Sequence, residues 1–277
     1  MSSDEYLGSL FRLDGRVAVV TGATGVLGGA IARGLAAAGA RVAVLGRRAE
    51  RAEEVAREIR AAGGEAVATP ADVLDAGTLE QVREQLLARY GGIDVLVNAA
   101  GGQVPAAVVA DAGSFFDVPP QALRDAIELN LMGTVLPCQV LGRALASRGA
   151  GAIVNITSAA VARPLTRVVA YGAAKAAVDN LTRWLAVELA RKHGPGLRVN
   201  AIAPGFFLGD QNRALLVGAD GAPTERGRSI LAHTPAGRFG EPGELVAAAI
   251  WLCGPGAAFV TGTVVPVDGG FNAYAGV

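Results

Sequence analysis

Seven short, nearly uninterrupted apolar runs recur along the chain, separated by alanine-rich amphipathic stretches. They are RVAVVTG (16–22), RVAVLG (41–46), EAVATPAD (65–72), IDVLVNAAG (93–101), GAIVNITS (151–158), LRVNAIAP (197–204) and TVVPVD (263–268). A strand with one wet face alternates apolar and polar residues, whereas a continuous apolar run is covered on both faces. Strands of this kind alternating with helices predict an α/β fold: a doubly wound, seven-stranded parallel sheet with helices on both faces.

The predicted helices include 28–39, 49–64, Asp75 to Tyr90 and a long region over 119–148. A further one carries Tyr171 and Lys175; along it Ala177, Val178, Leu181, Trp184, Leu185 and Leu189 form an apolar stripe, and Gly194-Pro195 stops it. No repeat or low-complexity linker divides the chain, so one domain is expected over 13–277 behind an N-terminal arm, 1–12. Residues 101–118 and 205–243 break the rhythm. Loops of that length in a compact domain are usually lids or binding loops, and 205–243 is the expected substrate lid.

Lys+Arg and Asp+Glu both number 25 in this 277-residue chain, so no global field draws it to nucleic acid or an anionic membrane. Cys138 and Cys253 lie far apart, with no CxxC and no metal-like cluster, which suits buried thiols in a reducing compartment and no metal site. The acidic N-terminus MSSDEYLGSLFRLDG has no apolar core of a signal peptide. The longest apolar stretch, VAAAIWLC (246–253), is far short of the ~20 residues that span a bilayer. A cytoplasmic protein acting on a small molecule is the expectation, with no nucleic-acid or membrane partner.

The first apolar run leads into TGATGVLGG, a glycine-rich turn that opens a helix. Gly22, Gly25, Gly28 and Gly29 let the backbone approach a pyrophosphate, whose charge the helix N-terminus stabilises. This predicts a Rossmann-type dinucleotide site over Thr21, Gly22, Thr24, Gly25, Val26, Leu27 and Gly28. At the end of the second run a carboxylate would accept from an NAD ribose; Gly46, Arg47 and Arg48 stand there instead. Guanidinium groups bind a 2′-phosphate bidentately, so NADP(H) is favoured, with NAD(H) as the alternative if both arginines are merely solvated.

Tyr171 and Lys175 are four residues apart, one helical turn, on a shared face. A phenol of pKa ~10 would have to fall by about 3 pH units, about 4 kcal/mol, to act near neutrality. A lysine charge and a cofactor cation are the groups that could do this. Hydride moves to or from carbon only as the attached oxygen changes protonation, so an acid/base must reach that oxygen. Ser158, at the end of its strand, sits where open α/β sheets place ligands.

The glycine turn, NAAG (98–101), Asn130 in ELNLMGT, Ser158, YGAAK (171–175) and APGF (203–206) together resemble the short-chain dehydrogenase/reductase family over essentially all of 13–271. The usual family turn is TGxxxGxG; here Val26 stands at the middle glycine, with Gly25 one place earlier. The resemblance implies that Tyr171 exchanges a proton with the substrate oxygen and that Lys175 lowers its pKa and holds the nicotinamide ribose. It implies that Ser158 hydrogen-bonds the same oxygen and that Asn130 positions a water near Lys175. Asp72 and Val73 would lie against the adenine, Asn98, Ala99, Ala100 and Gly101 beside its ribose, and Pro204, Gly205, Phe206 and Phe207 complete the cofactor site.

Polar residues off this motif set are candidates for the substrate pocket: Gln103, Arg163, Arg167, Gln211, Asn212 and Arg213, with His233 and Arg238 further on. Arginines that bind carboxylate, with amides for hydroxyls, point to a sugar acid. Extended segments such as RPLTRVVAYGAAKAAVDN and NAIAPGFFLGDQNR are similar to the D-mannonate oxidoreductase (fructuronate reductase) type. A 3-oxoacyl thioester reductase or other carbonyl reductase is the alternative, and a non-catalytic NAD(P)-binding regulator a minor one. The apolar helices and the tail FNAYAGV match surfaces that related enzymes use to form tetramers or dimers, so a homo-oligomer is expected.

Overall fold

A computed structural model describes residues 1–110, 112–209 and 213–276. The chain runs through α1 (Ser3–Phe11), β1 (Val17–Thr21), α2 (Val26–Ala37), β2 (Arg41–Gly46), α3 (Ala49–Ala61), β3 (Glu65–Pro70), α4 (Ala76–Tyr90) and β4 (Val95–Asn98). It continues through α5 (Pro120–Ile127), a π turn (Glu128–Met132), α6 (Gly133–Val140), α7 (Gly142–Arg148), β5 (Ala150–Ile156) and α8 (Val169–His193). The last elements are β6 (Gly196–Pro204), α9 (Arg213–Leu216), α10 (Glu225–Ala232), α11 (Val246–Cys253) and β7 (Val264–Val267).

The strands form one sheet in the order β3-β2-β1-β4-β5-β6-β7, and every neighbouring pair is parallel. Successive strand residues face opposite layers. Ala18, Val20, Val42 and Val44 thus pack with Ile31 and Leu35 of α2, Val55 and Ile59 of α3, and Leu252 of α11. Val19, Ala43, Leu45 and Leu96 face Leu79, Val82 and Leu86 of α4 and Leu145 of α7. Two such faces explain the unbroken apolar runs of the central strands.

The strand order reverses between β1 and β4, whose Thr21 and Asn98 stand side by side. In an open parallel sheet a crevice forms above such a point, at the strands' C-terminal ends.

Three local features refine or correct the expectation. The N-terminal arm contains helix α1, started by a capping box in which Glu5 N donates to Ser2 Oγ and Ser2 N to Glu5 Oε2. The expected helical region 119–148 is present but divided, with the π turn that holds Asn130 between α5 and α6 and Leu141 between α6 and α7. On α8 the buried line is Ala170, Ala174, Val178, Thr182 and Ala186, whereas Trp184 is 57% exposed. Small side chains bring α8 close to the sheet, and the bulky indole turns outward.

Both cysteines are free, and burial pushes each thiol up to about 12, well clear of reactivity. Among the described residues no helix is long and apolar enough to cross a membrane. No group of three or more His, Cys, Asp or Glu there could hold a metal ion.

Candidate active site

Gly22 follows β1 with φ 65°, and a Cβ on it would come within 2.7 Å of the Ala100 backbone. At Gly28 a Cβ would lie 2.4 Å from the Gly22 carbonyl oxygen. Only glycine fits either position. Gly25 is the exposed N-cap of α2 and makes no side-chain cap bond, so the first amides of the helix stay open to an anion. Val26 begins the helix half-buried, with its side chain toward Gly209, so moving the middle glycine one place leaves the turn intact. These features fit a dinucleotide pyrophosphate.

Thr21 and Asn98 serve this crevice from below. The Thr21 hydroxyl accepts from Ala99 N and Ala100 N, both at 3.2 Å. Asn98 turns into the core, donating to Asn155 Oδ1 at 2.9 Å and Cys138 Sγ at 3.1 Å, and Asn155 in turn donates to Thr182 Oγ1. Both side chains hold the backbone of 98–101 in place rather than facing the opening.

At the far end of β2, Arg47 and Arg48 are exposed, and among the described residues neither guanidinium has an ion-pair partner. A Cβ at Gly46 would come within 2.7 Å of the Thr24 side chain. Asp72 accepts from Leu74 N at 3.0 Å, and Val73 is buried beside it.

Beyond the crevice, β5 ends at Ile156 and α8 begins at Val169, bringing Ser158, Tyr171 and Lys175 together. The Ser158 hydroxyl lies near enough to the Tyr171 phenol to favour its ionised form. Burial pushes that phenol above its ordinary value near 10, and Ser158 offsets this in part. Lys175 is buried; its Nζ lies 5.8 Å from the Tyr171 ring centre and donates to the Ile156 carbonyl at 2.7 Å. Burial lowers the ammonium to about 8. Gly101, at φ 151°, passes so close that a Cβ there would meet Asn130 Oδ1 at 2.8 Å and Lys175 Nζ at 3.3 Å. Asn130 accepts from Gly102 N and donates to the carbonyls of Gly102 and Ala126, each at 2.9 Å, so its side chain anchors the start of the 101–118 loop.

A family model described as "Enoyl-(Acyl carrier protein) reductase" matches residues 22–272. The "Uncharacterized oxidoreductase UxuB" of Bacillus subtilis is 46% identical over 275 residues, covering 96% of this chain and 98% of its own. The chain belongs to the short-chain dehydrogenase/reductase family. It is an NAD(P)-dependent oxidoreductase of the alcohol/carbonyl type. Two solved members superpose over nearly the whole chain. A protein from Haemophilus influenza, named provisionally as a D-mannonate oxidoreductase and holding NAD, shares 40% identity at TM-score 0.90, over 98% of this chain and all (100%) of its own. A gluconate 5-dehydrogenase from Burkholderia cenocepacia, in complex with NADP and tartrate, shares 33% identity at TM-score 0.85, over 97% of this chain and 100% of its own.

In this short-chain dehydrogenase the described candidate substrate residues lie on several separate loops and helix ends. Gln103 is exposed just past the Asn130 anchor, and Arg163 is half-buried in the loop between β5 and α8. Arg213 is exposed at the start of α9; Gln211 and Asn212 lie outside the described residues. Arg238 is engaged by Glu244 at 2.8 Å, and His233 Nδ1 is 2.8 Å from the Ser229 carbonyl. Phe206 meets Phe271 edge-on at 5.1 Å, and Phe207 packs on Gly240, where a Cβ would strike its ring. The segment after β6 is thereby fastened at both its ends.

Arg167 is the surprise of this region. Its backbone is left-handed, φ 76°, and its Nε donates to the Val109 carbonyl at 3.0 Å. A residue with a Cβ adopts that conformation at a cost of about 1–3 kcal/mol. Next to it, Thr166 accepts from Arg226 of α10 at 3.2 Å. Neither contact could be anticipated from the sequence, because residue type carries no signal for either.

Proposed function

We propose that this enzyme interconverts a sugar acid and its keto form, in the manner of D-mannonate and D-fructuronate, with NADP(H) favoured over NAD(H). The observation that carries the chemistry is the convergence of the Ser158 hydroxyl, the Tyr171 phenol and the Lys175 ammonium beside a glycine cradle that fits a dinucleotide. The bound cofactor supplies or accepts the hydride.

Tyr171 gives a proton to the substrate oxygen in reduction and takes it back in oxidation. Ser158 donates a hydrogen bond to the same oxygen and holds it toward the phenol. Without cofactor the phenol lies above 10, so it needs further positive charge nearby to work near neutrality. Lys175 contributes its charge from one turn away and would hold the nicotinamide ribose when the cofactor is bound. Asn130 keeps Gly102 and Gly101 flush against Lys175, where it would position a water that passes protons to solvent. The cradle from Thr21 to Gly28 takes the pyrophosphate, the segments at Asp72–Val73 and Asn98–Gly101 the adenosine, and Pro204–Phe207 the nicotinamide end.

Arg47 and Arg48 support the choice of NADP(H): exposed guanidinium groups suit a 2′-phosphate, and the Thr24 side chain occupies the space that a carboxylate replacing Gly46 would need. For the substrate, support comes from the D-mannonate and gluconate names of the two solved relatives and from the polar set Gln103, Arg163, Gln211, Asn212 and Arg213. Residues 205–243 act as the lid. Exposed Ile127, Met132, Trp184 and Val187 on α5, the π turn and α8 support a homo-oligomer buried through those helices.

A cofactor-coupled screen across uronates, aldonates, neutral keto-sugars and an acetoacetyl thioester, run with both nicotinamide cofactors, tests the reading. Turnover of D-fructuronate well above the thioester supports it. The acyl thioester reductase reading, to which the family model's description lends weight, would show the reverse order.

A further inference from the structure

Helix α8 begins without a side-chain cap: Val168, just before it, makes no cap bond. Tyr171 nevertheless lies in its first turn. A helix end with nothing to hold its orphan amides frays, and fraying here would leave the phenol without a fixed position.

Two bonds of the neighbouring Arg167 fix the chain just before the helix instead, leaving the helix amides out of the contact. Val109 N donates to the Arg167 carbonyl at 2.9 Å, and Arg167 Nε donates back to the Val109 carbonyl at 3.0 Å. Both bonds reach one residue of the 101–118 loop. Among the described residues Arg167 is the only non-glycine with positive φ, and that backbone lets its carbonyl and side chain meet the same residue. The loop is itself anchored at its base, where Asn130 grips both polar groups of Gly102. On the other flank, Thr166 is joined to Arg226 of α10.

We propose that Arg167 is a positioning residue: its clasp on Val109 sets the start of α8 and so holds Tyr171 against Ser158. This rests on the reading of Tyr171 as the acid/base. It differs from the substrate contact that a lone arginine in this loop suggests.

Three variants separate the alternatives. Arg167→Gly permits the left-handed backbone and removes the Nε bond, Arg167→Ala adds backbone strain, and Arg167→Lys keeps a donor able to reach Val109. Each is assayed with D-fructuronate and with a neutral ketose, alongside chymotrypsin cleavage at Phe115–Phe116 of the loop, which is exposed. Arg167→Gly should lower kcat about tenfold or more, by the same factor for both substrates, with KM for NADPH unchanged. The loop should be cut about fivefold faster, and Arg167→Lys should recover part of both effects. A rise in KM confined to the carboxylate substrate, with unchanged cleavage, would overturn the proposal in favour of substrate contact. Wild-type behaviour in every variant would overturn it too. If the wild type turns over neither substrate, the functional reading fails, and the cleavage rates alone still decide the clasp: no acceleration in Arg167→Gly means no clasp.

Discussion

Lys175 donates from Nζ to the carbonyl of Ile156 at 2.7 Å, so its charge is tied to the strand that presents Ser158 two residues later. The ammonium is almost fully buried, and burial lowers it from 10.5 to about 8. That difference corresponds to about 3 kcal/mol of charge-burial cost carried by the folded state.

Below pH 8 folded and unfolded chains both bind the proton, and the folded one carries the full cost. Between about 8 and 10.5 the folded chain releases its proton first, so stability rises with pH. Lys175→Met removes this dependence. In urea unfolding, wild type should gain about 3 kcal/mol on the variant between pH 7 and 10.5. A constant gap between the two would contradict the buried charge.

Tyr171 titrates in the opposite sense. Burial disfavours the phenolate, so in cofactor-free protein the ultraviolet difference between wild type and Tyr171→Phe should appear only above pH 10. Saturating oxidised cofactor brings positive charge beside the phenol and should move the onset to lower pH. An onset below 10 without cofactor would show that Lys175 alone suffices.

Tyr171→Phe keeps the ring and loses the proton. Turnover should fall roughly 100- to 10,000-fold, the usual worth of a general acid/base, while NADPH fluorescence titration gives an unchanged Kd. Retained turnover would remove Tyr171 from the chemistry.

Replacing Arg47 and Arg48 together by alanine should weaken NADPH about 10- to 100-fold and leave NADH untouched, as loss of charge-assisted bonds to a 2′-phosphate predicts. Equal losses for the two cofactors would mean that the arginines do not read that phosphate.

Gly101→Ala should reduce turnover more than stability. Its Cβ would press on Asn130 Oδ1 and Lys175 Nζ, moving the residues around the phenol while the sheet beneath stays packed. Thermal unfolding and kcat measured on the same preparation test this; a large loss of Tm with normal kcat would reverse the assignment.

The sheet was legible because a parallel strand buried on both faces leaves a run such as VLVN or RVAVLG with no polar interruption. The glycine cradle and the Tyr171–Lys175 turn were legible because each is local, fixed by spacing within one element. Helix α1 could have been found from Ser2 and Glu5, and α10 from Thr224, which caps Gly227 N. The partners of Arg167 could not. Val109 lies 58 residues away, and an arginine in a left-handed conformation is dictated by the contact rather than by its own preference. Trp184 misled for a related reason: periodicity identifies an apolar face, but the tighter fit of Ala174, Val178 and Ala186 decided which face met the sheet.

One hydroxyl constrains how this molecule works in time. Thr21 closes β1 and accepts from two successive amides just past the end of β4, stapling the halves of the sheet at the floor of the crevice. Parting the floor to admit or release a dinucleotide would break both bonds together with the β1–β4 ladder beneath them. Exchange falls to the loops above the strands, and substitutions that change the pace of cofactor release will map there, leaving the sheet a fixed bed.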